Sequence, residues 1–324
     1  MSYPYYPNPT AHAEDGEAAL PDFKRATDPG GYLPDPGLAD AVNVALLLGQ
    51  PLLLTGEPGT GKTELARHLA HTLKLGNPLR YDTKSTSTAR DLFYTYDAVG
   101  HFRAGQQEAA ALRFIRWNAL GEAILRSLAP ADAPQWLPAE FKHTAAKRSV
   151  VLIDEIDKAP RDFPNDLLNE VENLNFRVPE LSNDPIQASA AKRPILVLTS
   201  NSEKHLPEAF LRRCVYYDIA FPVGERLAEI VMKRVGDYDK TKAVLLHEAL
   251  DLFAKLRAGN VRKKPATAEL IDWLTALREL GADFYQPLRQ QRDKFDKTLS
   301  LLIKTKDDQK PAREIVENWF NPAV

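Results

Sequence analysis

The chain of 324 residues has a single cysteine, Cys214, so no intrachain disulfide can form, and one free thiol fits a reducing compartment. It has no run of about 18 apolar residues, the length a membrane-spanning helix needs. The best stretch, 41–54, is interrupted by Gly49, Gln50 and Pro51. The first twenty residues lack the basic start and apolar core of a secretory signal, so a cytoplasmic protein with no membrane span is expected. It also has almost no excess charge: 42 Lys and Arg stand against 44 Asp and Glu, a formal net charge of −2. That balance excludes binding to nucleic acid by bulk electrostatics and leaves only a local patch for such a role. No internal repeat or low-complexity block is present.

What is there is ordinary globular composition, 44% hydrophobic and 27% charged, on a length that suits two domains. Residues 1–27, rich in Tyr, Pro and small polar types without periodicity, read as a flexible tail. From position 51 short apolar runs alternate with amphipathic helices. The strands expected are 51–55, 79–83, 150–153, 195–198 and 215–220; the helices are 62–75, with Leu65, Leu69 and Leu73 on one face, and 107–128. This pattern predicts an α/β fold, a five-stranded parallel sheet between helices. After Phe221-Pro222 the strands stop, and helices are expected at 224–236, 240–257, 267–280, 284–304 and 311–319. The expected organisation is a tail (1–27), an αβα core (28–222) and a small all-helical domain (223–324).

Residues 56–63 read Gly-Glu-Pro-Gly-Thr-Gly-Lys-Thr, a full match to G-x-x-x-x-G-K-[ST] between a strand and a helix. Gly56, Gly59 and Gly61 let the backbone turn and direct its amides inward, and the helix N-terminus behind them adds a positive end. The phosphate-binding set is Gly56, Glu57, Pro58, Gly59, Thr60, Gly61, Lys62 and Thr63, with Glu64 opening the helix. Lys62 is expected to reach the β and γ phosphates, and the Thr63 hydroxyl to hold Mg²⁺.

Residues 150–157 read Val-Val-Leu-Ile-Asp-Glu-Ile-Asp. A strand ending in two carboxylates supplies the second half of such a site. Asp154 is expected at the Mg²⁺, and Glu155 is expected to be the general base for an attacking water. A kinase acting on a small molecule does not need that water-activating glutamate.

With these motifs the chain resembles an AAA+ ATPase, and within that superfamily the MoxR family; the resemblance extends over residues 35–320. It implies an αβα P-loop NTPase core, a helical lid, and ATP with Mg²⁺ as the cofactors. Thr199-Ser200-Asn201 resembles the sensor 1 element, which implies that Asn201 positions the water. Leu206 to Arg213 resembles the helix that carries a trans-acting arginine finger, with Arg213 the better match and Arg212 the second. Residues 84–105 resemble the helix 2 insert, whose aromatics Phe93, Tyr94, Tyr96 and Phe102 are candidates to grip a client. The resemblance implies a hexameric ring that remodels a protein client with a partner containing a von Willebrand factor A domain. Two other readings remain open: a nucleic-acid-directed AAA+ protein of a restriction or defence system, and a slow nucleotide-gated switch. One departure matters. After Pro265-Ala266-Thr267, where the family often places a sensor 2 arginine, no Arg occurs.

His68 and His71 lack a third ligand for zinc. Cys214 reads as a small apolar core residue. The basic stretch 255–264 reads as a solvated helix end before it reads as a binding patch. The segment 130–148, with three prolines and Trp136, carries no assignment.

Overall fold

The structure is a computed structural model that describes residues 28–105, 108–133, 136–137, 143–203, 206–236 and 243–321. The tail expected over 1–27 lies outside these residues. The chain opens with α1 (Pro36–Leu48), started by the Asp35 side chain accepting from Leu38 N and closed by Gly49 at φ 64°. Next come β1 (Leu52–Thr55), α2 (Lys62–Thr72) and β2 (Leu79–Asp82). A small hairpin of β3 (Tyr94–Tyr96) and β4 (Ile115–Trp117) flanks α3 (Ala98–Arg103), and α4 (Ala119–Ser127) leads toward β5 (Val150–Asp154). Two short helices, α5 (Phe163–Asp166) and α6 (Leu168–Asn173), precede the small pair β6 (Asn175–Phe176) and β7 (Ile186–Gln187). Then follow β8 (Ile195–Thr199), α7 (Glu208–Leu211) and β9 (Val215–Asp218).

Strands β2, β5, β8, β1 and β9 form one sheet in that order, and every neighbouring pair is parallel. The residue types explain the order. β1 and β5 are buried at every position, as strands covered on both faces must be, whereas β2 and β9 alternate and take the two edges. Leu38, Leu65, Leu69, Leu54, Leu152 and Val197 fill the layer under α1 and α2, and Leu53, Val151, Ile153 and Leu198 fill the opposite layer with Leu120 and Ile124.

Beyond β9 the chain is helical: α8 (Gly224–Val235), α9 (Val244–Ala258), α10 (Thr267–Glu279), α11 (Arg292–Thr298) and α12 (Gln309–Phe320). These helices bury a separate core around Phe253, Trp273 and Phe295. Inside it the Trp273 indole N–H is satisfied by Thr298 Oγ1 at 2.9 Å.

Three expectations are corrected. Residues 107–128 are not one helix. A 3-10 turn (Glu108–Phe114) leads into β4, and a helix forms only at α4. Ile115 and Trp117 point inward while Arg116 points out, a period of two that the helical spacing of Leu112, Ile115 and Ala119 concealed. Asn118 then fixes the break, donating from Nδ2 to Asp91 O at 2.7 Å. Gly121 seats α4 on the hairpin, since a Cβ there would lie 2.1 Å from Phe93 O. Likewise 284–304 is split. Pro287 and Gln291 interrupt the backbone into a 3-10 turn, α11 and a second 3-10 turn, while the apolar stripe Leu288, Phe295, Leu299, Leu302 is kept. Finally, Phe93 and Tyr94 are core residues. Tyr94 is 1% exposed, Phe93 stacks on Phe176 at 4.8 Å, and Tyr94 Oη donates to Glu180 at 2.7 Å. Tyr96 is half-buried beside His101, and Phe102, at 72% exposure, is the aromatic of the four left open to solvent.

Candidate functional site

Because β1, β5 and β8 are parallel neighbours, the loops that follow them emerge side by side at one end of the sheet. That placement joins residues far apart in sequence. The loop after β1 carries Gly56 to Gly61, and its glycines are demanded by space. A Cβ at Gly56, where φ is 138°, would lie 2.5 Å from Ile219 O, and one at Gly59, where φ is 78°, would lie 2.6 Å from the Ala266 Cβ. No side chain caps α2, so its first-turn amides face the loop.

Lys62 is 7% exposed. Its ammonium donates to Gly56 O at 2.7 Å, Glu57 O at 3.0 Å and Asn201 Oδ1 at 3.3 Å. Burial pulls its pKa down, and the nearby Asp157, Asp154 and Glu155 carboxylates oppose that pull. Thr63 Oγ1 lies 3.1 and 3.3 Å from the two oxygens of Asp154. Asp154 Oδ1 also accepts from Thr199 Oγ1 at 2.5 Å, and Thr199 Oγ1 in turn accepts from Glu155 N at 2.9 Å. One buried hydroxyl therefore orients both acidic residues.

Glu155 sits at φ 56°, a left-handed conformation that costs a non-glycine residue about 1–3 kcal/mol and marks functional sites. The kink turns its side chain out of the strand direction, where its carboxylate pairs with Lys158 and holds the lysine pKa up. Asn201 is held by Asp157, which accepts from its backbone N at 3.3 Å and its Nδ2 at 3.4 Å.

Arg213 stands outside this cluster. It pairs with Glu172 at 2.8 Å, donates to Ala209 O at 3.0 Å and is 42% exposed. Arg212 pairs with Glu208 at 2.5 Å. Of the loop's remaining residues, Pro58 is exposed, Thr60 Oγ1 donates to Glu57 O at 2.9 Å, and Glu64 pairs with Arg67 at 2.6 Å. Cys214 is half-buried against the core, and burial pushes its thiol up to about 12.

The donor chemistry at Thr63 and Asp154 fits Mg²⁺, a hard cation that takes one or two protein oxygens and completes its shell from phosphate and water. Among the described residues no group of three or more His, Cys, Asp or Glu could hold a metal. His68 Nδ1 bonds Pro29 O at 2.9 Å and its ring lies 5.4 Å from that of Tyr32, so it is a packing residue.

Sequence reasoning missed four participants. Thr199 ends β8 and Asp157 lies in the turn just after β5, and their places beside motif residues were the available signal. Arg80 reaches Asp154 from β2 at 2.9 Å. Arg257, near the end of α9, reaches Glu57 at 2.7 Å, donates to Pro265 O at 2.7 Å and stacks 3.4 Å over the Phe221 ring. Neither arginine belongs to a local pattern. The basic stretch 255–264 is largely paired: Lys255 with Asp251 at 3.2 Å, Arg257 with Glu57, and Arg262 with Asp307 at 2.6 Å. Among the described residues no helix is long and apolar enough to cross a membrane.

Residues 51–214 match the AAA domain family, dynein-related subfamily, a span that holds every residue of the cluster from Gly56 to Asn201 together with Arg212 and Arg213. Comparison with curated proteins gives no match.

Proposed function

We propose that this chain, which belongs to the AAA domain family of the dynein-related subfamily, is an ATP-hydrolysing remodelling motor of the MoxR type. The observation that carries the reading is the meeting of three strand ends. Lys62 bonds Asn201 at 3.3 Å, and Thr63 bonds Asp154 at 3.1 Å, with Glu155 next in sequence. Backbone amides and Lys62 hold the phosphates. Thr63 and Asp154 hold Mg²⁺, which supplies charge neutralisation at the β and γ phosphates when bound. Glu155 accepts the proton of a water that Asn201 orients. Arg213, exposed and outside its own chain's cluster, serves a neighbouring subunit in a six-membered ring. The helices from α8 onward act as a lid on the loop through Ala266 and Arg257. A protein client and a partner with a von Willebrand factor A domain belong to the same proposal.

Lys255, Arg257 and Arg262 are each paired with a carboxylate, which weakens the local support for a nucleic-acid-directed role. A slow nucleotide-gated switch keeps two supports: Glu155 is tied to Lys158, and α10 begins Thr267, Ala268, Glu269 with no arginine. Two measurements decide between the readings. Phosphate release by the wild type that Glu155→Gln abolishes is expected for the motor, and ATP binding without turnover would give the lead to the switch. Light scattering of Glu155→Gln with ATP and Mg²⁺ should show a ring mass that Arg213→Ala prevents, and a monomer in every condition would overturn the trans finger.

A further inference from the structure

Asp154 is 5% exposed at the end of an apolar strand. A buried carboxylate without an opposite charge is strongly disfavoured. The hydroxyls of Thr63 and Thr199 bond it but bring no net charge. Arg80 brings one: its Nη2 lies 2.9 Å from Asp154 Oδ2 and 2.7 Å from Asp82 Oδ1, and its Nε donates to Asp82 Oδ1 at 2.7 Å. Strand geometry causes this bridge. Arg80 and Asp82 are two apart on β2 and share a face, and Asp82 is the register partner of Asp154 across the parallel pair. Two carboxylates thus stand side by side with one guanidinium across them.

We propose that Arg80 is a positioning residue that holds Asp154 in the nucleotide-free chain and shifts onto Asp82 alone when nucleotide and Mg²⁺ bind; this rests on the reading of Thr63 and Asp154 as the Mg²⁺ ligands. A guanidinium and a divalent cation on one carboxylate repel each other. Arg80 is half exposed and free to swing outward, and Asp82, more exposed still, keeps it within reach. The nucleotide-free chain therefore resists free divalent cations, and the metal enters together with the phosphates that supply its other oxygens.

The test titrates Mn²⁺ alone into the full nucleotide-free chain, with bound metal read by electron paramagnetic resonance. Arg80→Gln removes the charge, and its shorter amide ends near the place of Nε, the atom that bonds Asp82, so Asp154 loses its cationic partner. This variant should tighten Mn²⁺ by about tenfold or more, and the gain should vanish when Asp154→Asn is added. Asp82→Asn, at an exposed position, should loosen Mn²⁺ by about threefold, because Arg80 then stays on Asp154. Equal Mn²⁺ affinity in the wild type and Arg80→Gln overturns the proposal, as does a gain that survives Asp154→Asn or a tightening by Asp82→Asn. Titrations of the wild type and Asp154→Asn with ADP separate the two layers. Asp154-dependent Mn²⁺ binding with ADP, beside equal affinities without it, leaves the metal reading standing and removes Arg80 alone. No Asp154-dependent binding even with ADP removes both.

Discussion

The site has a floor and a roof, and they are built differently. The floor is the row of strand ends at β1, β5 and β8, where Lys62, Thr63, Asp154, Thr199 and Asn201 bond one another across the sheet. Its strands are buried on both faces, so the side chains inherit fixed positions from the apolar layers beneath. The roof is the edge of the C-terminal helices. It meets the loop through the Arg257 pair with Glu57 and the approach of Ala266 to Gly59, while its own core lies apart. The floor is preorganised by packing, and the roof is attached by a few polar and steric contacts. Chemistry that needs fixed geometry belongs on the first, and motion belongs on the second.

Four substitutions press on that contrast. The largest effect is expected from Glu155→Gln, which should lower ATP turnover by roughly 10²–10⁴-fold and leave nucleotide affinity nearly unchanged, as phosphate release and equilibrium binding will report. Lys62→Ala removes a charged hydrogen-bonding partner worth about 1.5–3 kcal/mol, so nucleotide affinity should fall by roughly 10–100-fold; unchanged affinity would dissolve the phosphate-loop assignment. Thr199→Val leaves the Asp154 carboxylate and the Glu155 amide short of a partner, and should cost about 1–3 kcal/mol of stability in a denaturant melt. A neutral melt would mean that the floor is less tightly coupled than its bonds suggest. The smallest global effect is expected at the roof. Arg257→Met keeps an apolar stem beside Phe221 but loses the bonds to Glu57 and Pro265 O, and should cost about 1–2 kcal/mol of stability, yet it should weaken the protection that nucleotide gives the α8–α10 region against proteolysis. If Arg257→Met melts the whole chain, the roof is as integral as the floor.

The same contrast governs what the sequence disclosed. Lys62, Thr63, Asp154, Glu155 and Asn201 sit at the ends of apolar runs in short local patterns, and a parallel sheet brings such ends together without further information. Its three central strands were readable because they are continuously apolar, and the two edge strands because their residues alternate. The roof contact was not readable, since Arg257 and Glu57 are joined only by how two separate cores lie against each other. Arg80 escaped for a similar reason, because the register of an edge strand decides which carboxylate it meets. The segment 107–128 misled because Leu112, Ile115 and Ala119 satisfy helical spacing, whereas the alternation of Ile115, Arg116 and Trp117 is only three residues long. Asn118 and Gly121 act through contacts with the backbone of Asp91 and Phe93, which no periodicity records.

The strand order also dictates a birth order. β1 is the first strand made, yet it lies between β8 and β9, with Leu52 beside Val197 on one side and Val215 on the other. During synthesis the nucleotide loop therefore emerges early and waits, its strand unpaired until β8 is made through Thr199 and flanked on both sides only when the chain reaches Asp218. Only then is the loop seated between both neighbours. Ribosome-bound chains of increasing length should acquire nucleotide-dependent protection in one step near that point, which makes ligand binding a report that the last strand has arrived.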